Sequence, residues 1–435
     1  MFLTFRQKTK GFLLLFSFRA NRNRLLIPAA IVAFFIGLVA IISLPATSKL
    51  PNPYLSDELP YPSLPLPYSP DELEYFDKAI TDLLERHHFN GTVLVARRGM
   101  IIYQNAFGYA DFRNRTPATT NTPFQLASIS KTFTATAVLM LHEEGRIHID
   151  DPINKHIPEF PYPDMTVRQM LNHTSGIQNY MWLVERYWSQ PHLPDNEDVL
   201  QLFIRYKRPV NFGAGSRFEY SNTGYAFLAL LVERVSGMGF ADFLQEQIFE
   251  PLDMQNAFAY NPNNPVSMPD HRAHGFRPGR RSFIHNTDMP HDAVLGDKGL
   301  YASVTDLYKW DQAIYRHALL STDTWDQAFE PAMLRNQRTV DYGQGWRLQT
   351  FLDGRIVHHP GRWNGFRTSF KRFIDNRATL ILLSNNGRTI GPLVDGMQNI
   401  IFHQEIMLLT EKPKEDPRLY DDDMSSGGTE NRSEN

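Results

Sequence analysis

The sequence predicts an α/β protein of the α+β type, in which a five-stranded antiparallel sheet is flanked by helices and accompanied by a mainly helical lobe. Apolar runs with strand-type composition, bounded by turn residues, occur near both ends of the folded region, at 91–107 and 355–384. Residues from about 150 to 290 instead show helical periodicity and many aromatic side chains. Residues 25–44 form an apolar stretch long enough for a transmembrane helix. The two ends of the folded region are therefore expected to assemble one sheet.

The N-terminal segment predicts a single-pass membrane anchor. Residues 1–24 carry six Lys and Arg residues and no acid, and residues 25–44 are uncharged. Because a basic flank stays on the cytoplasmic side, the anchor is expected in the cytoplasmic (inner) membrane with the folded part on the periplasmic or extracytoplasmic side. A cleaved signal peptide is the alternative, although its apolar region is usually only about 7–15 residues long. Residues 45–70 contain eight prolines and predict an extended spacer.

The folded domain is predicted over residues 71–410, and a polar, solvated tail over 411–435. Ser69-Pro70-Asp71-Glu72 has the pattern of a capping box with proline in the first turn, which begins a helix. Arg98-Gly99 separates two apolar runs and predicts a hairpin of strands at 91–97 and 100–107. The remaining predicted elements are strands at 355–359, 366–374 and 378–384 and a closing helix at 393–407.

Composition excludes several classes of protein. The chain has 435 residues and a net charge of −3, which gives no argument for a nucleic-acid partner. It contains no cysteine, which excludes disulfides, thiolate zinc sites and iron–sulfur clusters. Its 15 histidines show no ligand spacing, and no phosphate loop, dinucleotide fingerprint or Gly-x-Ser-x-Gly element occurs. Neither a metal nor another cofactor is expected.

The first candidate catalytic pair is Ser128 and Lys131, in a segment predicted to be helical from Ser128 to Glu144. Residues i and i+3 share a helix face, so the two side chains are expected to lie side by side. A serine hydroxyl becomes a good nucleophile only when a neighbouring base takes its proton. Burial lowers the pKa of a lysine enough for it to be that base. The structural alternative is that Ser128 caps the helix and Lys131 is solvated.

The second candidate pair is Tyr220 and Asn222, which precede a predicted helix from Tyr225 to Val235. A phenol near a lysine can exchange protons with a serine and with a leaving group. The amide of Asn222 offers a donor and an acceptor for a substrate carbonyl or amide. The structural alternative is a turn of small polar residues before a buried helix.

The third candidate element is His359-Pro360-Gly361, which follows a short strand-like run. A strand edge beside the nucleophile can direct a backbone N–H at the reacting carbonyl oxygen. Since Pro360 has no N–H, the donor would be the N–H of Arg362, acting together with the N–H of Ser128. His359 would add a hydrogen bond or a charge near the pocket. As a lone feature, this tripeptide would only be a turn.

Taken in order, these three elements resemble the motifs of the serine β-lactamase and penicillin-binding-protein superfamily, whose first motif is Ser-x-x-Lys. The closer resemblance is to its class C-like branch, in which the second motif is Tyr-x-Asn and the third is often His-x-Gly. That branch contains class C β-lactamases, D-alanyl-D-alanine carboxypeptidases, D-aminopeptidases and β-lactamase-fold esterases. The resemblance covers roughly residues 71–408 and includes further similar segments at 171–177, 299–307, 342–346 and 383–386.

The resemblance implies a β-lactamase/DD-peptidase-like fold with its pocket at the junction of the sheet and the helical lobe. It also implies catalytic roles for three residues: Ser128 as the acylated nucleophile, Lys131 as its proton partner and Tyr220 as general base and acid. The implied substrate-binding residues are Asn222, His359, Gly361 and Arg362.

The expected function is that of a membrane-anchored serine hydrolase that cleaves an ester or amide bond through an acyl-enzyme on Ser128. His359 stands where β-lactamases and transpeptidases place lysine, which favours an ester or a D-amino-acid peptide over a β-lactam. Its partners would be a small-molecule or peptide acyl substrate, with cell-wall peptide as one possibility, and the membrane. The alternatives are a D-alanyl-D-alanine carboxypeptidase or β-lactamase at the cell wall, and a non-catalytic module that binds wall peptide.

Overall fold

The structure, a computed structural model, describes residues 68–263 and 268–411. The predicted basic segment, the predicted anchor at 25–44, most of the Pro-rich spacer and nearly all of the C-terminal tail lie outside the described residues. Within the described ranges, no helix is both long enough and apolar enough to cross a bilayer.

A six-stranded antiparallel sheet organises the described part of the chain, with the strand order β12-β13-β14-β15-β1-β2. Its strands are β1 (Gly91–Arg97), β2 (Met100–Phe107), β12 (Arg347–Phe351), β13 (Gly354–Trp363), β14 (Phe366–Phe373) and β15 (Ala378–Ser384). Among the described residues between β2 and β12 there are nine short strands: β3 (Tyr109–Asp111), β4 (Thr116–Pro117), β5 (Phe124–Gln125), β6 (Phe258–Ala259), β7 (Phe276–Pro278), β8 (Phe283–His285), β9 (Leu300–Ala302), β10 (Ala332–Met333) and β11 (Thr339–Val340).

The predicted strands are confirmed, and the sheet joins the two ends of the folded region through the pairing of β1 with β15. Arg98 and Gly99 both adopt positive φ, at 52° and 75°, as the two-residue turn of a tight hairpin requires. The prediction of five strands was one short, because β12 was missed. Its side chains are half-buried or exposed, as on a sheet edge, so the sequence carries no clear period-2 apolar signal there.

Eleven α-helices are described: α1 (Pro70–Arg86), α2 (Ser130–Glu143), α3 (Val167–Leu171), α4 (Tyr180–Tyr187), α5 (Asn196–Arg205), α6 (Asn222–Ser236), α7 (Phe240–Leu244), α8 (Val304–Tyr315), α9 (Thr322–Ala328), α10 (Gly391–Ile401) and α11 (His403–Glu411). The predicted capping box at the start of α1 is present. The predicted closing helix is instead two helices that meet at Phe402. The predicted helix from Ser128 begins as a 3₁₀ turn, Ala127–Ile129, before α2.

The sheet separates two apolar clusters. Helices α1 and α10 cover one face with side chains such as Ile80, Leu84 and Met397. The larger cluster lies on the other face and contains α2, α6 and α8, with α3, α4, α5 and α7 in the region where a helical lobe was predicted. Helix α2 is buried on nearly all sides, so the residues at its N-terminus are held between the sheet and the helical region.

Candidate active site

Ser128 and Lys131 lie side by side at the N-terminal end of α2, as the i, i+3 spacing predicted. Ser128 sits in the 3₁₀ turn and Lys131 in the first turn of the helix, with 3.4 Å between Lys131 Nζ and Ser128 Oγ. Ala127, the residue before the serine, has a φ of 51°, a left-handed conformation that costs an alanine about 1–2 kcal/mol. The backbone therefore turns sharply at this point and presents the serine at the end of the helix.

Lys131 is fully buried, and its amine lies within hydrogen-bond distance of three oxygens. Besides Ser128 Oγ, these are Asn222 Oδ1 at 2.8 Å and the Asp297 carbonyl oxygen at 2.7 Å, both of which accept from the amine. Burial lowers the pKa of Lys131 to about 7, with a raising effect of the Asp297 charge and a lowering effect of Arg347. A neutral amine has two N–H bonds and one lone pair. With both N–H bonds donated, the lone pair is the part of the amine left for the hydroxyl of Ser128.

Tyr220 and Asn222 are positioned by the start of α6. Ser221 between them is the N-cap, and its hydroxyl accepts the N–H of Gly224 at 3.4 Å. Burial raises the pKa of Tyr220 above its usual value and outweighs the lowering effect of the nearby Ser128 hydroxyl. Tyr220 is therefore a neutral phenol near neutral pH. A protonated phenol is the form that a general acid needs, and the predicted role of Tyr220 as general base stays a prediction.

His359 lies beneath Tyr220 and is only 1% exposed. Its Nδ1 is 2.8 Å from the carbonyl oxygen of Pro360, so this nitrogen carries the proton and donates it. The lone pair of Nε2 then faces two phenols, with Tyr220 Oη at 3.5 Å and Tyr342 Oη at 3.2 Å. Burial and the Lys131 charge lower the pKa of His359 well below its usual value. The neutral imidazole is therefore an acceptor for the hydroxyls of Tyr220 and Tyr342, and the predicted contact of His359 with substrate stays a prediction.

Gly361 brings β13 against the nucleophile segment. A Cβ at this position would lie 2.0 Å from Thr368 Oγ1 and 2.4 Å from the Leu126 carbonyl oxygen, so only glycine fits. Thr368 also donates to that carbonyl oxygen at 2.8 Å. The side chain of Arg362 is exposed. The strand therefore runs directly beside the turn that carries Ser128, and the predicted role of the Arg362 N–H as a donor stays a prediction.

Three residues around Tyr220 were missed by sequence reasoning. The His173 ring centroid lies 4.2 Å from that of Tyr220, and its Nδ1 accepts the N–H of Ser221 at 3.1 Å. Tyr342 bonds His359 as described above. The guanidinium carbon of Arg347 lies 5.2 Å from the Tyr220 ring centroid. His173 and Tyr342 stood within segments noted for their resemblance, whereas Arg347 carried no signal in the sequence.

Within the ranges that the structure describes, no group of three or more His, Asp or Glu side chains could hold a metal ion.

Comparison with known proteins agrees with this geometry. The β-lactamase family model matches residues 76–401, three quarters of the chain. The chain belongs to the β-lactamase family. It is 38% identical over 311 residues to penicillin-binding protein 4* of Bacillus subtilis, an alignment that covers 69% of each protein. It is 27% identical over 295 residues to the D-aminopeptidase of Brucella anthropi, covering 68% of this chain and 56% of that protein. The chain thus spans little more than half the length of that D-aminopeptidase.

Solved structures show the same fold. A penicillin-binding protein from Bacillus halodurans superposes with a TM-score of 0.64 at 24% identity, covering 75% of this chain and 98% of that one. The D-amino acid amidase of Ochrobactrum anthropi superposes with a TM-score of 0.64 at 22% identity, covering 77% of this chain and 99% of that one. As a member of the β-lactamase family, the chain is a serine hydrolase, and the predicted superfamily is confirmed.

Proposed function

We propose that this hydrolase cleaves ester or amide bonds through an acyl-enzyme on Ser128, with Lys131 as the base that activates the serine. The observation that carries the proposal is the bonding of Lys131. Its two N–H bonds are held by Asn222 Oδ1 and the Asp297 carbonyl, and its pKa is about 7. Near neutral pH, a substantial fraction of the enzyme then has a neutral amine directed at the Ser128 hydroxyl, 3.4 Å away.

In the acylation step, Lys131 Nζ takes the proton from Ser128 Oγ as that oxygen bonds to the substrate carbonyl carbon. The resulting oxyanion is placed at the N–H groups of Ser128 and Arg362. Asn222 keeps its Nδ2 for the substrate, because its Oδ1 is occupied by Lys131. When the tetrahedral intermediate collapses, the leaving group takes the proton of the Tyr220 phenol, and the proton held by Lys131 restores that phenol.

In the deacylation step, a water molecule loses a proton to Lys131 and bonds to the acyl carbon. The bond from that carbon to Ser128 Oγ breaks, and the oxygen recovers its proton from the Lys131 ammonium. The free acid leaves, and both residues return to their starting states. His359 remains neutral throughout and accepts a hydrogen bond from Tyr220 or Tyr342, which fixes the orientation of the phenols.

The proposed substrate is an ester or an amide of a D-amino acid. His359 is neutral and buried, so the third motif presents no lysine-type cation from its first position to bind a substrate carboxylate. This favours substrates without a free carboxylate over a β-lactam. The likeness to proteins named D-aminopeptidase and D-amino acid amidase supports the amide. A carboxypeptidase acting on cell-wall peptide is the second candidate, favoured by the 38% identity to penicillin-binding protein 4*.

Activity-based labelling tests the proposed nucleophile. We expect the full-length protein to react with a fluorophosphonate and Ser128→Ala to lose all labelling. Ser130→Ala is the matched control, because Ser130 lies in the same motif but is buried and its hydroxyl accepts the N–H of Leu300 at 3.2 Å. An unlabelled but folded parent protein would contradict the enzymatic proposal and favour the non-catalytic module.

A substrate panel separates the candidates within the hydrolase class. It contains p-nitrophenyl esters, the p-nitroanilides of D- and L-alanine, a D-alanyl-D-alanine peptide and a chromogenic cephalosporin. We expect hydrolysis of the esters and of the D-anilide. Turnover of the D-alanyl-D-alanine peptide alone would establish the carboxypeptidase instead, and efficient turnover of the cephalosporin would contradict the argument from His359.

We also propose that residues 25–44 anchor the protein in the cytoplasmic membrane, with the hydrolase on its outer side. The support is the length of this uncharged stretch and the six basic residues that precede it. After alkaline carbonate extraction of cells that produce the full-length chain, we expect the protein in the membrane pellet. Its complete release into the supernatant would contradict the anchor.

A further inference from the structure

A buried aspartate and a buried lysine, Asp297 and Lys298, lie next to Lys131 in the structure. Asp297 and Lys298 are consecutive residues and are only 1% and 2% exposed. The Asp297 backbone carbonyl is one of the two acceptors of the Lys131 amine, at 2.7 Å. A charge pair that is almost fully desolvated is costly for a fold to maintain. Because this pair adjoins Lys131, the proposed catalytic base, we expect an effect of the pair on that base.

The side chains of the pair are held by a tyrosine and by backbone carbonyls. Tyr180 Oη donates to Asp297 Oδ2 at 3.2 Å and accepts from Lys298 Nζ at 2.8 Å. Burial and the Asp297 charge raise the pKa of Tyr180 well above its usual value, so this hydroxyl stays protonated. Lys298 Nζ also donates to the carbonyl oxygens of His291 at 2.8 Å and Val294 at 3.3 Å. Its distance to Asp297 Oδ1 is 3.5 Å.

We propose that Asp297 and Lys298 are positioning residues, which hold the Asp297 carbonyl against the amine of Lys131 and set the electrostatic potential in which that amine gains and loses its proton. The inference rests on the proposed function, since it concerns the base of that reaction. Asp297 stabilises the ammonium form of Lys131, and the neighbouring positive charge of Lys298 opposes this effect. The two charges together keep the base in a range useful near neutral pH.

Other groups also face Lys131, and their charges determine how a substitution at Asp297 or Lys298 should alter its titration. The charged and titratable side chains around it, from every element packed against it, are Tyr220, Tyr225, His173, His359, Arg347 and Asp297. The two imidazoles have pKa values well below their usual range because they are buried near Lys131, so they are neutral. The charges that act on Lys131 near neutral pH are therefore those of Asp297 and Arg347. Lys298 acts through Asp297, because its Nζ lies 3.5 Å from Asp297 Oδ1 and offsets part of that charge.

Two isosteric substitutions should move the pH profile in opposite directions. Asp297→Asn removes the charge that favours the ammonium, so Lys131 loses its proton at lower pH. Lys298→Met removes the opposing charge, so Lys131 loses its proton at higher pH. The displacement for Asp297→Asn should be about one pH unit, the usual effect of one nearby charge in a protein interior, and that for Lys298→Met should be smaller. The double variant removes both charges, and its profile should return only part of the way from that of Asp297→Asn to that of the parent protein.

The test is the second-order rate of fluorophosphonate labelling of the full-length protein between about pH 5 and about pH 9. We expect the midpoint of the rise in labelling rate to move to lower pH for Asp297→Asn and to higher pH for Lys298→Met. In the double variant it should lie between those of Asp297→Asn and the parent protein. A merely structural role would instead lower the rate at every pH, and the two substitutions would add their damage. Either unmoved profiles or profiles moved in the same direction would overturn the inference.

Asp311→Asn is the matched control. Asp311 is also buried and paired, with Arg372 Nε at 2.6 Å, but it lies on α8 and does not contact Lys131. Its substitution should lower the melting temperature without moving the profile. If either single variant fails to fold, the remaining single variant and the double variant still give different predictions.

Nitrogen NMR of lysine-labelled full-length protein, with the Lys131 signal assigned by Lys131→Met, measures the same titration without any reaction at Ser128. Displaced titrations in a protein that does not react would contradict the proposed function and support this inference. If Ser128 is labelled but the Lys131 titration is the same in the variants as in the parent protein, the proposed function is supported and this inference is contradicted.

Discussion

Replacing Tyr220 by phenylalanine separates the two roles that a phenol at this position could have. The structure makes Tyr220 a protonated donor, because burial raises its pKa. The substitution should therefore slow the departure of a leaving group that needs a proton, and it should scarcely affect one that does not. A matched pair of substrates with one acyl group, p-nitrophenyl butyrate and ethyl butyrate, makes this comparison directly, since p-nitrophenolate leaves readily without protonation.

The size of the effect follows from the contacts of the phenol. A positioned general acid contributes roughly 10²- to 10⁴-fold, so kcat/KM for the ethyl ester should fall by about that factor and that for the p-nitrophenyl ester by less than about tenfold. The fold should change little. His359 Nε2 keeps Tyr342 Oη at 3.2 Å, so one net hydrogen bond is lost, about 1 kcal/mol. That corresponds to about 2 °C in melting temperature for a domain of this size.

The assay is steady-state hydrolysis of both esters by the full-length protein, with Tyr225→Phe as the matched control. Tyr225 is another buried phenol beside Lys131, but its hydroxyl donates to the Leu171 carbonyl oxygen at 2.6 Å. The control should leave the ratio of the two kcat/KM values unchanged. Equal losses on both esters in Tyr220→Phe would refute the reasoning, because they would place the phenol in the attack of Ser128 instead of in leaving-group departure.

Three further predictions concern the base and the strand beside it. Because the neutral amine of Lys131 is the reactive form, kcat/KM should rise with pH through about pH 7 and level off above it; a pH profile flat between about pH 5 and about pH 9 would contradict this assignment. Arg347→Met removes a positive charge that lowers the pKa of Lys131, so the same rise should move to higher pH, and a shift to lower pH would count against it. Gly361→Ala forces a Cβ to within 2.0 Å of Thr368 Oγ1 and 2.4 Å of the Leu126 carbonyl oxygen. It should cost about 2 kcal/mol or more of unfolding free energy in denaturant melts, together with most of the activity; a variant as stable and active as the parent would show that β13 does not approach so closely.

Much of the fold follows from local signals in the sequence. The hairpin around Arg98-Gly99, the capping box at the start of α1 and the three C-terminal strands of the main sheet all have turn, cap or period-2 patterns that act within a few residues. The edge strand β12 does not, because its partly exposed face removes the apolar alternation that marks a strand.

The candidate catalytic residues were also accessible from the sequence, since Ser128 and Lys131 lie three positions apart on one turn and Tyr220 stands in its own motif. The environments of these residues could not be predicted from the sequence. Whether Lys131 is buried, whether Tyr220 keeps its proton and whether His359 meets substrate all depend on what packs around each group.

By itself, the sequence determined the family, and it predicted the nucleophile and the chemical types that surround it, because these depend on short motifs whose residues lie close together along the chain. Only the tertiary structure decided the protonation states of Lys131, Tyr220 and His359 and which residues contact them. Asp297 lies 166 positions from Lys131 and His359 lies 139 from Tyr220, so their contacts arise when the sheet and the helical region close on each other. Desolvation and charge act through space, and these interactions set the pKa values on which the chemistry depends.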